Sequence, residues 1–159
     1  MFWGGIRYGK RSFLVALDGD PEAARGGVTG RVYRDHLDEY LPECLDGDSI
    51  FMQDNAPVHT ARIVKEWLQR QAVEVLEWPP YSPDLNPIEN VWKLLKERIQ
   101  KKEPKLRSLG NTQEALDLLI ATAIAVWEKF AEGMLNDLID SMPRRIEAVI
   151  AAQGWYTKY

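Results

Sequence analysis

Two carboxylates stand where this chain could hold a metal ion. Asp54 closes the apolar run "SIFMQD", which predicts a short buried strand, and Glu89 follows after 34 intervening residues. Ligands of α/β sheets gather at the carboxyl ends of strands, so the strand would deliver Asp54 to a fixed point. Carboxylate oxygens suit hard cations such as Mg²⁺. Asp54 is therefore a candidate metal ligand, with capping of the helix that follows as the alternative.

Glu89 occupies the first turn of a predicted helix. Asn86 is a good N-cap and Pro87 a good first residue, so Glu89 falls at the third helical position. A capping box with Asn86 is the structural alternative to a role in chemistry. Lys93 and Lys96 lie one and two turns further along the same face, where they could pair with Glu89 or hold phosphates.

The elements that must position these residues can be predicted from periodicity and turn signals. In chain order they are a hairpin over residues 2–18, a helix from about 29 to 41, the strand "SIFMQD", a helix over 57–71 with Pro57 in its first turn, the strand "VEVLEW", the stiff loop "PPYSPDLNP", a helix with the core stripe Ile88, Trp92, Leu95 and Ile99, and helices over about 112–131 and 142–152. This order predicts an α/β sheet covered by helices on both faces.

Composition is compatible with one domain spanning residues 1–159. Of these residues 45% are hydrophobic, enough to bury a core. No stretch reaches the ~20 apolar residues of a membrane helix, and no signal peptide is recognisable, so a soluble, intracellular protein without a membrane partner is expected. Cys44 is the single cysteine and is predicted to be a buried structural thiol. A net charge of −4 argues against a general nucleic-acid coat protein but allows a local basic patch.

Three segments resemble the mariner-type transposases of the Tc/mariner superfamily, which are DDE transposases with a ribonuclease-H-like fold. The segments are "QDNAPVHT", "WPPYSPDLNPIENVWKLLK" and the terminal "SMPRRIEAVIAAQG" with "TKY". The resemblance implies a three-layer α/β/α domain with a mixed sheet. It also implies that Asp54 and Glu89 match the second and third catalytic carboxylates and ligate metal.

The resemblance further implies chemistry on DNA. Such transposases are expected to cut DNA strands with water and to join the freed 3′ hydroxyl to target DNA, using two Mg²⁺ or Mn²⁺ ions. Asn55 and His59 would orient Asp54 or touch the DNA backbone, although a histidine in such a turn is more often a local hydrogen-bond partner. The partners implied are transposon ends and target DNA, with a homodimer or an association with full-length transposase also compatible. A nuclear location follows from the resemblance alone.

The chain departs from the family pattern at its start. The strand that carries the first catalytic aspartate, and the helix-turn-helix domains before it, have no counterpart in these residues. Asp18 and Asp20 belong to a turn after the hairpin and are improbable substitutes. Without that central strand the sheet would be interrupted between the "FWGGI" and "SIFMQD" strands, closed directly, or filled by a second chain.

Two functions of different kinds are therefore expected. The first is the catalytic portion of a cut-and-paste transposase, inactive in isolation because one carboxylate is missing. The second is a non-enzymatic remnant that binds DNA or an intact transposase. Whether this chain alone is an enzyme stays open at this point.

Overall fold

The computed structural model describes residues 1–80 and 82–159, in which the main elements are four short strands and six α-helices. The strands are β1 (Phe2–Trp3), β2 (Ile6–Arg7), β3 (Lys10–Arg11) and β4 (Val15–Ala16). The α-helices are α1 (Gly30–Tyr40), α2 (Arg62–Arg70), α3 (Pro87–Lys102), α4 (Gln113–Trp127), α5 (Glu132–Ile139) and α6 (Met142–Ala151), with short 3₁₀ helices at Pro83–Leu85 and Pro104–Arg107. Across the described residues, no helix combines the length and apolar character that spanning a bilayer requires.

The described chain divides into two compact units. The first unit comprises Met1–Trp3 and Val15–Pro83, and the second comprises Gly4–Leu14 and Asp84–Tyr159. Each has its own buried side chains. The expectation of one domain over residues 1–159 stays a prediction.

The predicted hairpin is present but its ladder is broken. Strand β1 pairs antiparallel with β4, and β2 pairs antiparallel with β3. Between the two ladders stand Gly4 and Gly5, which weaken a strand because they offer no side chain to pack. Gly9 closes the hairpin with φ +71°, a conformation that glycine adopts without strain.

The strands predicted at "SIFMQD" and "VEVLEW" are much shorter than expected. Of "SIFMQD" and "VEVLEW", only Phe51 and Val75 pair, in an isolated parallel bridge. The Phe51 amide donates to the Glu74 carbonyl at 2.8 Å, and the Leu76 amide donates to the Phe51 carbonyl at 2.9 Å. Nothing in the described residues pairs with Phe51 on its other side, and no backbone ladder joins it to β1 or β4. The sheet is therefore interrupted between the "FWGGI" and "SIFMQD" segments, which is one of the three arrangements predicted for a sheet without the central strand.

The first unit has its core between α1, α2 and the β1–β4 ladder. Thr29 caps α1 by accepting the Val32 amide at 3.4 Å. The buried side chains of this core are Trp3, Leu17, Tyr33, Leu37, Leu41, Val64, Trp67 and Leu68. Gly30 lets α1 and α2 approach closely, because a Cβ there would lie 2.6 Å from the Ala61 Cβ. Cys44 is half-buried, and its thiol donates to the Tyr40 carbonyl at 3.3 Å.

The second unit packs α3 against α4 and α5. Trp127 is its central side chain: it stacks on Trp92 with ring centroids 5.4 Å apart and donates from Nε1 to the Ser12 carbonyl at 2.8 Å. The buried stripe of α3 is Pro87, Val91, Leu95 and Ile99. The predicted stripe was therefore wrong by a small rotation, since Ile88 and Trp92 are only half-buried.

One helix boundary differs from the predictions, and one helix was not predicted. Helix α2 begins at Arg62, not at Pro57, because residues 57–60 form a turn held by the Ala56 carbonyl, which accepts the amides of His59 and Thr60 at 2.9 and 3.0 Å. Helix α5 was not predicted. It is only eight residues long and contains Gly133, which lowers its intrinsic helical propensity.

Candidate functional site

Asp54 lies three residues beyond the Phe51–Val75 bridge and is held by a local turn. Its Oδ1 accepts the Ala56 amide at 2.9 Å and lies 2.6 Å from the His59 Nδ1. The side chain is 47% exposed, and both of these contacts are made through Oδ1. The alternative that Asp54 caps the following helix is wrong, since α2 begins at Arg62 with Ala61 as its N-cap and without a side-chain capping bond.

His59 is fixed by groups on both of its sides. The 2.6 Å contact with a carboxylate fits a tautomer in which Nδ1–H donates to Asp54. The ring also packs on Tyr33, with centroids 4.5 Å apart and planes tilted by 35°. These contacts make His59 a local hydrogen-bond partner that holds Asp54 in one orientation.

Tyr33 is a member of this cluster that the sequence did not reveal. Its periodicity marks it only as a core residue of α1, yet its hydroxyl donates to the Gln53 Oε1 at 2.8 Å. Burial raises the pKa of the Tyr33 hydroxyl, and the negative charge of Asp54 adds to the effect. The hydroxyl therefore stays protonated and acts as a donor beside the Asp54 turn.

Asn55 ties together the two segments that follow the parallel bridge. Its Nδ2 donates to the Trp78 carbonyl at 2.8 Å, 23 residues along the chain. This contact stabilises the loop from which Asp54 projects. The observed role of Asn55 is thus support of the loop, and contact with DNA stays a prediction.

Glu89 lies on the first turn of α3, as predicted, and it is exposed. Asn86 is the N-cap: its side chain accepts the Ile88 amide at 3.4 Å, and its carbonyl accepts the Glu89 amide at 3.1 Å. Lys93 and Lys96 are exposed further along α3. Tyr81, within the predicted "PPYSPDLNP" loop, lies outside the described residues.

Arg145 is the buried centre of the segment around the start of α3. Only 2% of it is exposed, and its guanidinium donates to the Asp84 carbonyl and the Asn90 Oδ1, each at 2.7 Å. Its Nε donates to the Ser141 Oγ at 2.7 Å, and its planar group lies 4.8 Å from the Tyr159 ring centroid. Nothing in the adjacent sequence signals this burial, because the partners of Arg145 lie up to 61 residues away along the chain.

Asp20 is fully engaged in structure. Its carboxylate accepts from the Arg31 Nη2 and the Thr29 Oγ1, each at 2.6 Å, and from the Glu22 amide at 3.0 Å. Hydrogen bonds from Arg31 first, and then from Thr29 and the backbone, lower the pKa of Asp20 to about 2. Asp20 thereby anchors the start of α1, which gives it a structural role.

No cluster of three or more His, Cys, Asp or Glu side chains in residues 1–80 and 82–159 is arranged to hold a metal ion. Of the predicted site residues, Asp54, Asn55 and His59 come together in the first unit. Glu89, Lys93 and Lys96 share a helix in the second.

Residues 21–112 match the DDE superfamily endonuclease family, and the chain belongs to this family. Its relatives are transposases of Tc/mariner elements. It is 40% identical to the Tcb2 transposase of Caenorhabditis briggsae over 110 residues and 40% identical to the Tc1 transposase of Caenorhabditis elegans over 115 residues. Each match covers 69% of this chain and 37% of the relative, so the chain spans little more than a third of their length.

Solved structures of the Mos1 transposase, a mariner protein of Drosophila mauritiana, share the fold. The Mos1 catalytic domain with raltegravir and Mn gives a TM-score of 0.56 at 22% identity, covering 99% of this chain and 83% of that domain. The Mos1 paired-end complex with the left transposon end gives 0.61 at 24% identity, covering 96% of this chain and 46% of that one. The chain therefore has the predicted ribonuclease-H-like α/β fold.

Proposed function

We propose that this chain is the catalytic portion of a cut-and-paste DNA transposase, in which Asp54 and Glu89 are two of three metal-binding carboxylates. The observation that carries the proposal is the arrangement of hydrogen-bonding groups around Asp54. A half-exposed carboxylate follows a parallel β-bridge and is held through one oxygen by a histidine and a backbone amide. Membership of the DDE endonuclease family supports the reaction class.

The residues present are suited to a divalent cation. Both hydrogen bonds to the Asp54 carboxylate go to Oδ1, and among the described residues Oδ2 has no hydrogen-bond partner. Glu89 offers a second exposed carboxylate. Oxygen donors of this kind suit Mg²⁺ and Mn²⁺. When bound, a pair of such ions supplies activation of the attacking oxygen and stabilisation of the leaving one.

The chain's own residues provide orientation. The Nδ1–H of His59 holds Oδ1 of Asp54, and Tyr33 packs on the His59 ring from the buried side. Asn55 keeps the same loop tied to the Trp78 carbonyl. A carboxylate restrained in this way through Oδ1 needs little further ordering when substrate arrives, and Oδ2 has no competing hydrogen bond among the described residues.

We further propose that these residues alone do not cleave DNA. The family pattern puts a third carboxylate on a strand that precedes the hairpin, and Asp20, the most buried nearby acid, is committed to Arg31 and Thr29. Removing one carboxylate of three weakens the hold on metal. Transposon ends and target DNA are the proposed substrates, and the nucleus is the proposed place of action.

Strand cleavage tests this proposal. The preceding segment of the Tc1 transposase, joined to the N-terminus of this chain, would supply the strand that carries the first aspartate. Labelled transposon-end DNA is incubated with Mn²⁺ and the chimera or the chain alone, each unmodified or with Asp54→Asn or Glu89→Gln. Asp48→Asn and Glu97→Gln serve as matched controls, since both acids are exposed and the second lies on α3.

We expect the chimera to cleave the DNA. The rate of cleavage should fall about a hundredfold or more with Asp54→Asn or Glu89→Gln, and both control variants should cleave as fast as the chimera. A chimera whose cleavage is unaffected by either substitution would refute the assignment of the two carboxylates. Activity of the chain alone, lost with Asp54→Asn, would refute the proposal that a third carboxylate is missing.

A second candidate function is a non-enzymatic remnant that binds DNA or an intact transposase. The observation that favours it is that, within the described residues, no group of three potential ligands comes together. An inactive chimera, together with a chain that still binds DNA or co-purifies with a transposase, would favour this function.

A further inference from the structure

Helix α3 concentrates positive charge in a chain of opposite net charge. The whole sequence carries a net charge of −4, yet α3 contains five lysines and arginines against two glutamates. Three of the cations, Arg98, Lys101 and Lys102, fall in the last five residues of the helix. Their spacing of three and four residues puts them on one side of α3.

These three side chains line a groove together with one cation from a neighbouring segment. The groove has a volume of about 390 Å³ and is lined by Arg98, Lys101, Lys102, Val126 and Lys129. Val126 is buried, whereas all four cationic residues are exposed. The groove therefore has an apolar residue at its base, four positive charges around it, and no acidic side chain in its lining.

Simpler roles account for only part of this arrangement. Lys101 and Lys102 lie in the last turn of α3, where cations offset the partial negative charge of the helix end. Arg98 stacks on the Phe130 ring, 4.4 Å from its centroid, which fixes the guanidinium without neutralising it. Lys129 follows α4 and belongs to neither arrangement. Within the described residues, no carboxylate lies within 4.0 Å of any of these four cations.

We propose that the groove lined by Arg98, Lys101, Lys102 and Lys129 binds the phosphate backbone of duplex DNA. From Arg98 to Lys102, α3 advances about 6 Å along its axis, over which one DNA strand presents about two phosphates. Four unpaired cations around an open groove suit successive phosphates better than one small anion does. The inference rests on the proposed function for the identity of the nucleic acid and adds a contact surface beyond Asp54 and Glu89.

Fluorescence anisotropy of the 159-residue chain with a labelled 20-base-pair duplex tests the proposal. The groove variant carries Lys101→Gln, Lys102→Gln and Lys129→Gln. The control variant carries Arg25→Gln, Lys65→Gln and Arg70→Gln, three exposed cations of the first unit, so both variants lose the same charge. Binding is measured between 50 and 200 mM salt, and circular dichroism checks that both variants fold.

The groove variant is expected to bind about tenfold more weakly or worse, and the slope of log K against log salt should become shallower by about 2 to 3. The control variant should lose much less affinity for the duplex. Equal losses in the two variants, or no measurable binding by the unmodified chain, would overturn the proposal.

Two competitors identify the ligand class. Inorganic phosphate and poly-glutamate are added at constant ionic strength, and neither should displace the duplex at millimolar concentration. Displacement by phosphate would overturn the proposal in favour of a small-anion site, and displacement by poly-glutamate would do so in favour of an acidic protein partner. Because the assay needs no cleavage, an inactive chimera combined with groove-dependent binding would reject the proposed catalysis and leave this inference standing.

Discussion

At the scale of single residues, the arginine pair in the first turn of α6 shows what local sequence can and cannot reveal. Arg144 and Arg145 look equivalent in sequence, yet Arg144 is exposed and Arg145 is buried. The difference comes from Asp84 and Asn90, which supply acceptors from 61 and 55 residues away. No local pattern encodes such partners. Asp54, by contrast, could be found because its position at the end of a short apolar run is a local signal.

The change Arg145→Lys is expected to lower the free energy of unfolding by about 2 to 4 kcal/mol, because an ammonium cannot reproduce the planar set of donors in a buried position. Urea denaturation measures the loss, and hydrogen exchange should show weaker protection in the first turns of α3. The adjacent Arg144→Lys is the control and should be neutral. Equal effects of the two changes would contradict the role given to Arg145.

Asp20 should make the free energy of unfolding depend on pH in the acidic range. The hydrogen bonds from Arg31 and Thr29 hold the pKa of the folded state at about 2, below the ordinary value of 3.8. The carboxylate therefore stabilises the fold fully above about pH 4, and the contribution is lost as the pH falls towards 2.

The variant Asp20→Asn should consequently have a lower Tm at pH 7 and a flatter decline of Tm between about pH 4 and 2. Thermal unfolding followed by circular dichroism at several pH values measures both. Asp48→Asn, at an exposed acid, should leave the profile unchanged. If the Tm of Asp20→Asn declined between about pH 4 and 2 as steeply as that of the unmodified chain, the structural role of this carboxylate would be contradicted.

At the scale of elements, helices were predicted more faithfully than strands. Helices α1 and α3 have side-chain caps at Thr29 and Asn86, which are signals within the helix's own sequence. The strands "SIFMQD" and "VEVLEW" depend on neighbours in space. With pairing on one side only, they contribute a single bridge between Phe51 and Val75.

The contact between α1 and α2 offers a test at this scale. A Cβ on Gly30 would lie 2.6 Å from the Ala61 Cβ, so Gly30→Ala should push the helices apart and cost about 1 to 3 kcal/mol of unfolding free energy. The double variant Gly30→Ala with Ala61→Gly should recover part of the loss. Gly47→Ala, where a Cβ would have no neighbour within 4 Å, is the control. A Gly30→Ala variant as stable as the control would show that the helices can move apart freely.

At the scale of the whole molecule, the resemblance to a transposase fold could be predicted from three ordered motifs, whereas the extent of pairing in the sheet could not. Apolar side chains of the predicted strands "SIFMQD" and "VEVLEW" are accessible to solvent: Ile50 is 52% exposed and Leu76 is 43% exposed. Such side chains and unpaired strand edges are what an additional strand would cover.

The chimera with the preceding Tc1 segment should therefore be more stable than the chain alone. Its urea midpoint should rise, and its m-value should increase because more surface is buried on folding. Fusion of a glycine- and serine-rich peptide of equal length is the control. If both fusions shift the midpoint equally, the added strand is not completing the sheet.

The contacts of residues 157–159 have a practical consequence for the placing of affinity tags. The Thr157 amide donates to the Asp84 Oδ2 at 2.6 Å, and the Tyr159 ring covers Arg145. Residues 157–159 are thus built into the support of the helix that carries Glu89. An affinity tag fused directly after Tyr159, or a substitution in residues 157–159, would therefore disturb a segment more than 60 residues upstream.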